Sequence, residues 1–233
     1  MKLFTLICIT ILCCHMIRGD ERHFVWTYES QMTPPGEAEL ETYLTTSASD
    51  AQEWEHTTST VQQFELEVGM SEHLDFGIYQ LFKTNPGQAV TYEGFKLRWR
   101  YRLPDRLVPA FSPIAYVEYK GSPGFSEHEI ETKLILTHSM NRWTFAVNPQ
   151  IAWEYDDSWN AAWKVSAGLN FRLHKLLAPG MEAFVNDQSL YAGPVISHGK
   201  GDKWVALGSA FRLRSFSGSA PEVQIRLIMG FGL

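Results

Sequence analysis

Lys96, Arg98, Arg100 and Arg102 stand at every second position of one segment, and the residues between and around them, Phe95, Leu97, Trp99, Tyr101 and Leu103, are apolar. Acidic residues repeat in the same way: Glu39 and Glu41, then Glu65 and Glu67, with Asp75 close behind. A spacing of two puts each set on one face of an extended strand. Facing rows of opposite charge can do one of two things. If they touch, ion pairs fill the space between them. If water separates them, a transverse field orients and selects charged or dipolar solutes, as rings of charge do in pores. These nine residues are the candidate lumen and selectivity residues.

Other chemistry lacks the spacing it needs. A Ser/His nucleophilic site requires the two side chains within hydrogen-bond reach. His138 and Ser139 are adjacent, as are Ser197 and His198, so on a strand each pair points to opposite faces. No His lies two residues from a Ser within a predicted strand, and no catalytic residue is expected. The remaining histidines are scattered near turns without metal-ligand spacing, and Gly199-Lys200-Gly201 is a turn, not a phosphate loop. No metal or cofactor is expected. Glu129 and Glu131 read as part of a solvated ladder.

The elements that must carry the charges are strands. Phe64, Leu66, Val68 and Met70 alternate with Gln63, Glu65, Glu67 and Gly69; Trp143, Phe145, Val147, Ile151 and Trp153 alternate with polar or small residues; Trp163, Val165, Leu169 and Phe171 do the same. Turn residues separate the segments at regular intervals. The pattern weakens over 180–198, where Pro194 argues against a central strand and two short strands are expected. A short helical piece is conceivable at His174–Leu177. The total is about twelve strands, of the length that tilted membrane strands need, roughly 9–11 residues. Inward Gly69, Gly77, Gly94, Ser166 and Gly168 would leave open space.

Both chain ends bear on location. Val223, Ile225, Leu227, Met229, Phe231 and Leu233 alternate with Gln224, Arg226, Ile228, Gly230 and Gly232 up to the C-terminus, the pattern of a closing, lipid-facing assembly strand. Lys2, the apolar run from Leu3 to Leu12 and Gly19 have the layout of a secretory signal peptide cut near Gly19. Cys13 and Cys14 would suit a lipoprotein, but Ile11 and Leu12 before them are not small. All three cysteines, Cys8, Cys13 and Cys14, would leave with the leader. Loss of Lys2 and Arg18 would take the net charge from −6 to −8, which argues against a nucleic-acid partner.

Alternation alone does not say which face is buried, because a soluble barrel of the lipocalin kind alternates with its apolar side inward. Strand length, charge ladders and aromatics near strand ends (Trp143, Trp153, Tyr155, Trp163, Trp204) point to lipid outside. A secreted soluble β-domain is the alternative.

Glu21-Arg22, Phe24, Thr27-Tyr28-Glu29, Pro35-Gly36, the row Glu37/Glu39/Glu41 and Phe64-Glu65-Leu66-Glu67-Val68-Gly69 before Leu74 resemble a family of uncharacterised, transporter-like bacterial outer-membrane β-barrels. The first third of the chain carries the resemblance. It implies fold and location and transfers no catalytic residue.

The expectation is therefore an all-β chain in three parts: a signal peptide at 1–19, a periplasmic lead-in or partial strand at 20–36, and one antiparallel transmembrane barrel at 37–233. Both termini would be periplasmic, with 47–60, 84–91, 121–126, 156–160 and 215–220 outside. The expected location is the Gram-negative outer membrane. The expected partners are outer-membrane lipid, the barrel-assembly machinery and small polar solutes. The expected function is a narrow passive channel with a charged lumen. A closed structural or adhesive barrel and a barrel-embedded lipid-modifying enzyme are the alternatives.

Overall fold

The computed structural model describes residues 21–218 and 220–233; the expected leader at 1–19, with its cysteines, lies outside the described residues. Twelve antiparallel strands form one closed barrel. They are β1 (Ala38–Ala48), β2 (Thr58–Ser71), β3 (Leu74–Thr84), β4 (Thr91–Arg102), β5 (Ser112–Gly121), β6 (His128–Met140), β7 (Trp143–Asp156), β8 (Ser158–Phe171), β9 (Ala178–Asn186), β10 (Ser189–Lys200), β11 (Lys203–Ser215) and β12 (Val223–Gly232). The C-terminal strand β12 pairs with β1, setting Phe231 opposite Leu40 and Leu227 opposite Leu44. Closure leaves no strand edge unpaired, which is the condition a sheet must meet in lipid.

The alternation resolves as apolar outside and charged inside. Leu40, Leu44, Phe64, Leu66, Trp99, Phe145, Ile151 and Phe231 are exposed, while Glu39, Glu41, Glu65, Glu67, Arg98 and Arg100 are buried. A soluble barrel would have the opposite arrangement. One rim holds the start of β1 and the end of β12. The segments expected to face outside all gather at the opposite rim, where Asp157 turns the chain between β7 and β8 in the left-handed region at φ 59°, a conformation Asp tolerates.

Three local expectations are corrected. Residues 180–198 fall in two full strands, β9 and β10. Pro194 is accommodated because its missing N–H falls where the β10–β11 ladder lapses, between the pairs Ala192–Phe211 and Val195–Gly208. His174–Leu177 is a bridged turn and not helical. Trp204, expected in an interfacial girdle, points inward and is buried. The four-residue helix Trp54–Thr57 between β1 and β2 carries no apolar period that the sequence would reveal.

Residues 21–36 form no strand beyond a bridge from Pro35 to Gly69. They differ from a lead-in: they run into the barrel, and Phe24, Val25, Trp26 and Thr27 are buried there. Gly168, read as open space, receives Phe24, whose ring a β-carbon there would meet at 2.6 Å; Gly208, not among the glycines read so, receives Val25, whose Cγ2 a β-carbon would meet at 2.5 Å. The apolar part of this plug packs with Ala146, Phe184, Val195, Ala206 and Ala210, the small or uncharged lumen residues of β7 and β9–β11.

Candidate functional site: a plugged, charged lumen

The plug is held mainly through its backbone. An irregular segment inside a barrel has N–H and C=O groups that need partners, and inward side chains of distant strands supply them. The Glu182 carboxylate on β9 accepts the N–H groups of Val25 (2.8 Å), Trp26 (2.9 Å) and Thr27 (2.8 Å). Asn148 on β7 brackets Tyr28, accepting its N–H at 2.5 Å and donating to its carbonyl at 3.0 Å. Arg226 on β12 donates to the Val25 carbonyl at 3.0 Å, and Arg102 on β4 donates to that of Ser30 at 3.0 Å. Thr33 donates to Glu67 at 2.5 Å.

Inside the plug, Glu29 clips its own segment. It accepts the His23 N–H at 2.6 Å, and its other oxygen lies 2.9 Å from His23 Nδ1. Burial alone would pull the His23 imidazolium down, but the Glu29 carboxylate and its hydrogen bond outweigh that, so the histidine titrates above its ordinary value of 6.5.

The nine predicted lumen residues all sit on the inner face, but they divide into groups the spacing did not reveal. Arg98 meets Glu65 at 2.9 Å and Glu67 at 2.7 Å. Arg100 meets Asp75 at 2.8 Å and also pairs with Glu67. Register explains the reach. Gly77 lies directly between Glu67 on β2 and Arg98 on β4, and with no side chain in the way the guanidinium crosses β3 to the carboxylates beyond. Glu41 is bound from the plug by Arg22 at 3.6 Å. Glu39 accepts the Trp204 indole N–H. Lys96 pairs with Glu118 on β5 at 2.9 Å, and Arg102 serves the plug. Of the two arrangements read from the sequence, the touching one is seen: the acidic and basic walls meet in the half of the lumen nearest the start of β1 and the end of β12, and the rest of the ladder turns to other partners.

Glu41, Glu65 and Glu67 bring carboxylate oxygens within 4.8 Å of one another, a spacing that could hold a cation. Arg22, Arg98 and Arg100 already surround them with positive charge, and the Tyr43 hydroxyl lies 2.8 Å from Glu65. The set fits an internal ion-pair lattice and not a metal centre. For the two Ser/His pairs considered above, His138 Nδ1 lies on the Ala110 carbonyl at 2.5 Å and not on a serine, and Ser197 is buried while its neighbour His198 is exposed.

Beyond the plug, toward the rim opposite the start of β1 and the end of β12, a chamber of about 140 Å³ remains, floored by Trp26 and Tyr28. Its walls carry Lys96, Lys133, Lys164, Arg226, Glu118 and Glu131 among tyrosines. Lys133 sits over the rings of Tyr28 (4.2 Å) and Tyr116 (4.3 Å), placing a strand cation against the plug.

Glu182, Asn148, Lys164 and Arg226 were not among the sequence candidates, yet they hold the plug or line the chamber. Asn148, Lys164 and Arg226 each occupy the polar side of an alternating strand, which was a usable signal. Glu182 lies where Gly180, Gly193 and Pro194 blur the period, and nothing local marks it.

Comparison with known proteins agrees with this architecture. No protein-family profile matches the sequence, and no curated protein matches it. Among solved structures, an outer membrane channel of Pseudomonas putida F1 superposes with a TM-score of 0.64 at 12% identity, covering 91% of this chain and all of the other. The NanC porin gives 0.59 at 8% identity over 84% of this chain and 100% of that one. The KdgM porin, solved with disordered oligogalacturonate, gives 0.57 at 8% identity over 84% and 98%. The chain has the fold of these outer-membrane channels, in agreement with the resemblance read from its first third.

Proposed function

We propose that the protein is an outer-membrane channel for small hydrophilic solutes, with residues 21–36 acting as a plug that narrows its lumen. The location fits the apolar exterior and the leader expected at 1–19. In this reading β12 is the strand the assembly machinery engages, and outer-membrane lipid covers the exposed residues.

The observation that carries the reading is how the plug is attached. Its backbone bonds to Glu182, Asn148 and Arg226, groups that water can also satisfy, and a polar chamber lies directly behind it. A segment held this way can exchange protein partners for water without leaving a bare donor in the lumen. Within the channel, Lys96 lines the chamber paired with Glu118, while Arg98, Arg100, Glu65, Glu67 and Asp75 brace the wall.

The alternative is a barrel permanently closed, with a structural role. It is favoured by the buried lattice that fills the other half of the lumen. Planar-bilayer recording separates the two readings. The purified protein should open in small steps, and Gly168→Leu, which drives a side chain into Phe24, should raise the conductance several-fold. Silence from both proteins would leave only the closed barrel.

A further inference from the structure

We propose that the chamber above the plug is a binding site for small organic acids, a carboxylate on a short carbon skeleton. The inference deepens the channel reading by naming the solute class. It rests on which charges in the chamber already have partners. Glu118 is bound by Lys96 at 2.9 Å and by the Tyr116 hydroxyl at 2.8 Å. Glu131 is bound by Lys133 at 3.0 Å and by the Gln150 amide at 2.8 Å. Both acids in the wall are therefore answered, and each uses one lysine.

Two cations remain. Among the described residues, neither Lys164 nor Arg226 has a carboxylate within 4.0 Å. Lys164 lies 4.8 Å over the Phe184 ring. Arg226 donates to Thr45 at 2.8 Å and to the Val25 carbonyl at 3.0 Å, both neutral acceptors. Two like charges facing one cavity are mutually unfavourable, and an anion between them removes that cost. A third donor is also free: Trp26, on the chamber floor, is buried with an indole N–H that has no acceptor, an expensive state that a ligand oxygen relieves.

Size and surface select among anions. About 140 Å³ admits a molecule of a few carbons and excludes a polymer. Tyr28, Tyr43, Tyr79 and Tyr116 line it and give a carbon skeleton aromatic surface to contact, which a bare inorganic anion would not use.

The test uses the purified full-length barrel in detergent and three probes in titration calorimetry: lactate, its neutral isostere lactamide, and inorganic phosphate. Lactate should bind at least tenfold more tightly than lactamide and more tightly than phosphate. Lys164→Gln and Arg226→Gln should each weaken lactate at least fivefold, Lys164→Arg should retain it, and Lys200→Gln at the rim should leave it unchanged. Equal binding of lactate and lactamide to the unaltered protein overturns the proposal, as does lactate binding that survives both neutral substitutions; tighter phosphate binding overturns the organic-acid assignment. The unaltered protein alone decides the first comparison, so a variant that fails to fold leaves the test intact. If the barrel conducts in bilayers but does not distinguish lactate from lactamide, the site fails and the channel stands. If lactate binds to a barrel that never conducts, the channel fails and the site stands.

Discussion

The carboxylate of Glu182 accepts the backbone N–H of Trp26 at 2.9 Å across 156 residues of sequence, and with the same group it accepts the N–H groups of Val25 and Thr27 on either side. Three successive donors converging on one carboxylate form an anion cradle, and here the anion belongs to the barrel wall. The plug's path through the lumen is set at that point.

Glu182→Ala should therefore release the plug while sparing the barrel. Each buried N–H left without an acceptor costs about 1–3 kcal/mol, and water entering the lumen recovers part of it. Limited proteolysis within 21–36 should speed up at least tenfold, while the heat-modifiable gel shift of the folded barrel stays as in the parent. Unchanged proteolysis would show that Phe24 and Asn148 suffice to hold the segment.

The lattice of Arg98, Arg100, Glu65, Glu67 and Asp75 predicts a different response. Arg100→Met leaves Asp75 and Glu67 short of countercharge inside the wall, a loss of about 3–5 kcal/mol in comparable buried pairs. Denaturant unfolding from lipid vesicles should show a clear drop in midpoint. Arg98→Glu, which would shift ion preference if these residues lined open water, should instead impair folding. A stable Arg98→Glu protein with a changed reversal potential would mean the lattice is wetter than its geometry implies.

His23 makes the plug's hold sensitive to pH. Its folded value lies above the ordinary 6.5 because Glu29 outweighs burial. A raised folded value means the contact's stabilisation is fully present below the unfolded value and is lost as pH rises through the folded one. Between pH 6 and pH 9 the thermal midpoint in detergent should fall more for the parent protein than for His23→Gln. The same slope in both proteins would assign the pH dependence to other groups.

Much of the barrel was legible because a period of two has only one geometric meaning over so many segments. Phe95 to Leu103 and Val223 to Leu233 each declare a face, and the structure places both as read. The side chains of the charge ladders turn inward, as the same period requires. Their partners were not legible, since pairing depends on register: whether Arg98 reaches Glu67 is decided by Gly77 lying between them. The plug was invisible for another reason. Phe24 to Tyr28 have no alternation, and an irregular segment is placed by receptors elsewhere in the chain, here Glu182, Asn148, Gly168 and Gly208. Trp204 misled because an indole near a strand end reads the same whether it meets headgroups or Glu39.

The plug precedes β1 in the chain, yet the groups that hold its stretch from Val25 to Tyr28 sit on β7, β9 and β12. Its docking is a contact between the start and the end of the chain and carries the loop-closure cost of such separation. Until those late strands are in the wall, Val25 to Tyr28 have no seat, even though Arg22, Ser30 and Thr33 find partners on β1, β4 and β2. Occupancy of the seat therefore reports that the barrel has been completed, and a truncated or stalled barrel would be left as an unstoppered hole in the membrane.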